Sequence, residues 1–104
     1  MSFKFCTVDK FDQLHPNIAS NLKSFLKNRI VAFDGLKSAV AKDDLEIIRA
    51  FCHTQLGVAS CYNCFRLEEI TKHIQGLVKK KDINAIKAIM PIFQEYVSEL
   101  KSNL

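Results

Sequence analysis

The sequence predicts an all-α fold, an antiparallel up-down four-helix bundle with a short N-terminal accessory segment. Three observations lead there. Apolar residues recur at helical spacing through four long segments. The 104 residues hold 3 glycines and 2 prolines, too few for the turn every 8–12 residues or so that an all-β chain needs. The connections between segments are about two to four residues long, which favours antiparallel neighbours. A chain of 104 residues and 11.9 kDa has room for one domain with one modest core. The expected division is an accessory segment over 1–14 and a bundle over 15–104, with no repeat, low-complexity tract or linker between them.

The accessory segment carries Phe3, Phe5, Phe11 and Leu14, which predict a short extra helix packed across one end of the bundle. The first long helix opens at His15-Pro16, where the missing proline N–H costs nothing. At about 100° per residue, Ile18, Leu22, Phe25, Leu26, Phe33, Leu36 and Val40 form one stripe. Arg29 falls inside it, as a snorkelling or paired guanidinium. The helix ends near Lys42, and Asp43-Asp44 supply an N-cap and a first-turn carboxylate for the next. That second helix runs from about Asp44 to Ser60, with Ile47, Ile48, Phe51, Cys52, Val58 and Ala59 as its core face. A third spans Cys64 to Lys80 and buries Leu67, Ile70, Ile74, Leu77 and Val78. Asp82 caps a fourth, which buries Ile83, Ile86, Ile89, Met90, Phe93, Val97 and Leu100. Pro91 lies inside that pattern. An interior proline costs about 3 kcal/mol in a straight helix, so a kink, or a break between Met90 and Pro91, is expected.

Composition and charge exclude several classes. Hydrophobic residues make up 48% and charged residues 25%, ordinary globular usage and not that of a disordered chain. The formal charge of +4 is spread evenly, +2 in 1–52 (8 basic, 6 acidic) and +2 in 53–104 (7 basic, 5 acidic). With no basic arm, nucleic acid is not an expected partner, and an acidic protein surface suits the excess equally well. The opening Met-Ser-Phe-Lys-Phe-Cys predicts no secretory signal, and no apolar run approaches the ~18 residues of a membrane span. A cytoplasmic location follows as the expectation, with the four cysteines reduced.

The second helix carries the chemistry. With His53 set at zero on the helical wheel, its core face lies about 100–160° away on either side. His53 therefore faces solvent, together with Glu46, Arg49, Ala50, Leu56, Gly57 and Ser60. Exposed histidines are ordinarily bland, but two neighbours give this one weight. Gly57 is one turn on, where glycine costs roughly 1 kcal/mol relative to alanine and no turn is needed. Its missing side chain clears space beside the imidazole, since i and i+4 residues adjoin on a helix surface. Leu56, about 60° from His53, adds an apolar residue beside that cleared surface, the pattern of a docking patch.

The run His53-Thr54-Gln55-Leu56-Gly57-Val58-Ala59-Ser60, followed by Asn63, Leu67 and Ile74-Gln75, resembles the histidine-containing phosphotransfer (HPt) domain family. That family's motif has a histidine, a lysine three residues on, a glycine four on and then small residues. A turn glycine, a leucine and a Leu-Glu-like pair follow. His53, Gly57, Ala59, Ser60 and Leu67 match; Leu56 stands in the lysine's place and Asn63 in that of the turn glycine. Asparagine also tolerates left-handed geometry, whereas the lysine's cation lies near the phosphoryl group in the family. The resemblance covers the chain from about His15 onward.

It implies a phosphoryl carrier rather than an enzyme, with His53 as the phosphorylated residue. A neutral imidazole is nucleophilic near pH 7, its ordinary pKa being ~6.5. The implied partners are a response-regulator receiver domain, a hybrid sensor histidine kinase, or both. Mg²⁺ and most of the charge stabilisation belong to the receiver, so the carrier needs no cofactor or metal of its own. Glu46, Arg49, Ala50, Leu56, Gly57 and Ser60 form the expected docking surface. Arg49, about 40° from His53, is the nearest cation in the helix, or a surface charge paired with Glu46. A monomer without nucleic-acid or membrane contact is expected. The alternative is a helical adaptor of the same fold that binds a receiver or kinase domain without carrying phosphate; Leu56 favours it.

A thiol-based reading competes. Cys52-His53 and Cys61-Tyr62-Asn63-Cys64 offer sulfurs and an imidazole, and C-x-x-C is a zinc or redox signal. The phases disagree, with Cys52 pointing inward and His53 outward, so buried structural cysteines are favoured. His15 and His73 lack supporting neighbours. Lys79-Lys80-Lys81 ends a helix, where cations suit the dipole.

Overall fold

The computed structural model describes residues 3–104; the first two residues of the accessory segment lie outside the described part. Among the described residues the regular structure is entirely helical. Five α-helices follow one another: α1 (Pro16–Ala19), α2 (Leu22–Ala41), α3 (Leu45–Val58), α4 (Phe65–Lys79) and α5 (Ile83–Lys101). Short 3₁₀ turns occupy Phe11–Gln13 and Ser60–Tyr62. Each long helix packs on the next, α2 on α3, α3 on α4 and α4 on α5, and α5 returns to α2. None of the helices is long and apolar enough to cross a membrane.

The helix starts follow from local chemistry. Asp44 accepts a hydrogen bond from the Ile47 amide at 3.2 Å, and Asp82 accepts one from that of Ala85 at 3.1 Å. Each satisfies an amide that the first turn leaves without an intrahelical acceptor, worth about 1 kcal/mol. The chain reverses at Asp43, Asn63 and Lys81, all left-handed with φ of 53–55°. All three glycines sit inside helices instead. Asn63 thus makes its turn in a left-handed conformation that asparagine tolerates better than most residues.

Two expectations about the start of the chain are corrected. The helix expected from His15 to Lys42 is interrupted at Ser20 and Asn21. Asn17, Ser20 and Asn21 compete for backbone hydrogen bonds and weaken a helix, and Ser20 Oγ does bond the Asn17 carbonyl. Ile18, expected in the buried stripe, is exposed, so no packing offsets their preference. The accessory segment is not a helix across one end. Residues 3–10 carry no helix and form a strap against α4 and α5, with Phe3, Phe5 and Phe11 packed on the core. Phe3 meets His73, Thr7 bonds Glu69, Asp9 bonds Arg66, and Lys10 bonds Asn63, so the strap runs antiparallel to α4.

The strap has no ladder of its own, and side chains from α4 and α5 satisfy its polar groups. Glu69 accepts from the amides of Cys6 (2.8 Å) and Thr7 (3.0 Å) and from the Thr7 hydroxyl (2.6 Å). The Asp9 carboxylate, with its side chain 5% exposed, takes the Arg66 amide and guanidinium and the Tyr96 hydroxyl. Tyr96 has a single O–H. Since that proton goes to Asp9, the phenol oxygen accepts the Cys64 thiol proton at 3.0 Å.

The core otherwise follows the periodicity. Phe25, Leu26, Phe33, Leu36 and Val40 of α2 are buried, as are Leu67, Ile70, Ile74 and Val78 of α4 and Ile86, Ile89, Phe93, Val97 and Leu100 of α5. Leu22, Leu77, Ile83 and Met90 are partly buried at its edge. The chain does not break at Pro91, since α5 runs through it. Pro91 and Lys87, whose carbonyl lacks a donor at i+4, are both exposed, so the lost hydrogen bond falls on the solvent side of the helix and not in the core. Ile89, Phe93, Tyr96 and Val97 hold both halves of α5 to the core.

Candidate functional site

The buried line of α3 is Ile48, Cys52 and Gln55, continued by Ala59 just beyond it. It is narrower than the predicted core face. Ile47, expected inside, is 52% exposed, because it lies about 100° round from that line. Gln55 takes the inward position that the apolar pattern concealed, and is only 2% exposed. Its Oε1 accepts from Arg29 Nη1 of α2 at 2.6 Å, and the Arg29 guanidinium lies over the Phe25 ring. Arg29 is thus the paired guanidinium in the stripe, and Gln55 is its partner.

With that line inward, His53 projects outward from the second half of α3 and is exposed. It lines an open depression of about 410 Å³ together with Glu46, Arg49 and Ala50 of α3 and Gln75 of α4. Arg49 Nη2 pairs with Glu46 Oε2 at 2.7 Å, so the surface pairing anticipated between them is present. Gly57 and Ser60 are exposed and Leu56 is partly buried. A Cβ built on Gly57 meets nothing within 4 Å, so the glycine is not there to let another helix approach. The structure thus brings Glu46, Arg49, Ala50 and His53 to one depression, with Leu56, Gly57 and Ser60 further along the same helix and outside its lining.

Two adjoining surfaces were not anticipated. A second depression is lined by Glu46, Arg49, Leu45, Val78, Lys79 and Lys81, which extends positive charge from α3 to the end of α4. On the other side, Ala50 is shared with an apolar groove between α2 and α3 that includes Ala32, Ile47 and Phe51. Gln75, about one turn before the lysine run, was visible in the sequence only as half of the pair that follows the histidine motif.

The thiols divide by environment. All four are free, with Cys6 and Cys61 exposed and Cys52 and Cys64 buried. Burial pushes the Cys52 thiol up to about 11. Burial, helped by the nearby Asp9 carboxylate, pushes that of Cys64 up to about 12. The two sulfurs of the C-x-x-C run therefore face different surroundings, one in water and one bonded to Tyr96. Among the described residues, no three His, Cys, Asp or Glu side chains are grouped to hold a metal ion. The other two histidines have local partners. His15 caps α1 by accepting from the Asn17 amide, and His73 packs its ring against Phe3.

Comparison with family models, with curated proteins and with solved structures finds no match to this chain.

Proposed function

We propose that this chain is a phosphoryl carrier in a histidine–aspartate multistep phosphorelay, accepting phosphate on His53 from a receiver-domain aspartate and passing it on. The observation that carries this reading is the placement of His53. It is an exposed imidazole on a long helix, beside an open depression with a cation and an amide, and Gly57 leaves clear space one turn away. The order of packed helices, with α5 returning to α2, supports an antiparallel up-down four-helix bundle as the scaffold.

In the transfer, the lone pair of one imidazole nitrogen forms an N–P bond as the P–O bond to the aspartyl carboxylate breaks. The carboxylate leaves with the bonding pair, and the other ring nitrogen keeps its N–H. The receiver supplies Mg²⁺ and most of the charge stabilisation, so this chain contributes an accessible nucleophile and a complementary surface. Ala50, Ile47 and Phe51 offer apolar contact on one side of His53, and Arg49, Lys79 and Lys81 offer positive charge on the other. That pairing suits a receiver domain whose acidic phosphorylation site is rimmed by apolar residues, in the cytoplasm where such relays run.

The family's lysine is absent at Leu56, which favours a second reading. In it the same surface docks a receiver or kinase domain without carrying phosphate. Incubation with a phosphorylated receiver separates the two. The carrier acquires acid-labile, alkali-stable phosphate that His53→Gln cannot acquire; the adaptor binds the receiver and acquires none.

A further inference from the structure

We propose that Arg49 is the phosphoryl-binding cation of this site, and that it exchanges its ion pair with Glu46 for one with phosphorylated His53. This rests on the carrier reading, and it answers the question Leu56 raises: where the missing positive charge comes from. Of the side chains lining the depression with His53, only Arg49 is cationic among the described residues. It precedes His53 by four residues, so the two Cβ atoms are neighbours on the helix surface, about 5–6 Å apart. A guanidinium also suits the task, because its planar fork can donate two parallel hydrogen bonds to phosphate oxygens.

The present partner of Arg49 is replaceable. Glu46 holds it through Nη2, one of its three nitrogens, and both side chains are largely exposed. Pairs of that kind contribute little in water. A phosphoryl group on His53 carries about −1.5 to −2 charges and three strong acceptor oxygens, against the single charge of Glu46. The guanidinium therefore turns from Glu46 on one side to the phosphoryl group on the other. Glu46 masks Arg49 while His53 is unmodified, and afterwards competes for it, which sets a limit on how long the phosphoryl group is held.

The test uses phosphoramidate, which needs no receiver. Its P–N bond breaks, ammonia leaves, and a ring nitrogen of His53 takes the phosphoryl group. After the donor is removed, the decay of the ³¹P resonance that is missing in His53→Gln is followed at fixed pH. Arg49→Ala should shorten the phosphohistidine lifetime by about two- to fivefold, and Arg49→Lys should fall between it and the wild type. Glu46→Gln should lengthen the lifetime. In the Arg49→Ala background Glu46→Gln should have a much smaller effect, because holding Arg49 is the main way Glu46 acts on the phosphoryl group. A wild-type lifetime in Arg49→Ala overturns the proposal, as does an undiminished Glu46→Gln effect in that background. If the folded chain gives no ³¹P resonance at His53, the carrier reading itself fails.

Discussion

Leu56 is the residue whose replacement separates carrier from adaptor most sharply. A lysine there places an ammonium near the phosphoryl group, and a pair at about 4 Å in a partly shielded site is worth up to a few kcal/mol. Exposure reduces this toward the ~0–1 kcal/mol of surface pairs. Leu56→Lys should therefore raise transfer from a receiver by no more than about tenfold, which corresponds to 1.36 kcal/mol. A wild type as inert as His53→Gln, beside an active Leu56→Lys, would make the protein an adaptor. The cysteines give a second residue-scale check. The thiolate is the reactive form, and the Cys52 and Cys64 thiols are raised to about 11 and about 12. In the folded protein at pH 7.5 an alkylating reagent should modify the exposed Cys6 and Cys61 and leave Cys52 and Cys64 until denaturant is added. Rapid double labelling of Cys61 and Cys64 would restore the redox reading. At this scale the sequence was informative where side chains are apolar and silent where polar groups satisfy each other. Gln55 and Arg29 are each out of pattern alone, and only their 2.6 Å contact explains both. Tyr96, at 1% exposure, was likewise invisible as core because its partners, Cys64 and Asp9, are remote in sequence.

Among the elements, α3 tests whether Gly57 serves the surface or the fold. Its Cβ position opens onto empty space, so Gly57→Ala should stabilise the protein by up to about 1 kcal/mol through helix propensity. Gly57→Leu should leave the melting transition nearly intact and weaken receiver docking. Loss of the fold in Gly57→Leu would make the glycine a packing residue. The strap offers a pH test. Burial works to raise the Glu69 carboxyl, but hydrogen bonds from Thr7 and Cys6 outweigh it and hold the group below its ordinary value. A carboxyl depressed in the folded state stabilises it above the unfolded value, about 4.3 for Glu, and that contribution is lost as pH falls through the lower folded value. The Cys6 and Thr7 amide resonances should titrate with a midpoint below 4.3 or so, and Glu69→Gln should abolish the titration. A midpoint at or above the ordinary value would contradict the strap contact. Helices α3, α4 and α5 were legible to within a few residues because their apolar stripes are regular, and α3 and α5 also carry the acidic caps Asp44 and Asp82. The break before α2 and the strap were not, since both depend on which surfaces remain to be covered after the long helices have packed. At Pro91 the sequence allowed a kink or a break, and α5 runs on without a break because its packed face outweighs one lost hydrogen bond on the exposed side.

For the whole molecule, four long helices close a ring of packed pairs and leave the outer face of α3 carrying His53 between an apolar groove and a basic edge. The core accounts for almost every long apolar residue; what remains outside it is concentrated at Val8, Ile18, Val31, Ile47 and Leu104. Of these, Ile47 belongs to the groove beside His53, where a docking partner would cover it. The central claim is that this surface passes phosphate through His53 from one aspartate to another. It is tested most directly by a reconstituted relay, in which one receiver is labelled with ³²P, a second is unlabelled, and the chain is the only link between them. Label should reach the second receiver only when the chain is present, pass through an acid-labile species on it, and stop with His53→Gln. Label that crosses equally well with His53→Gln, or never leaves the first receiver although the chain binds it, would contradict the account.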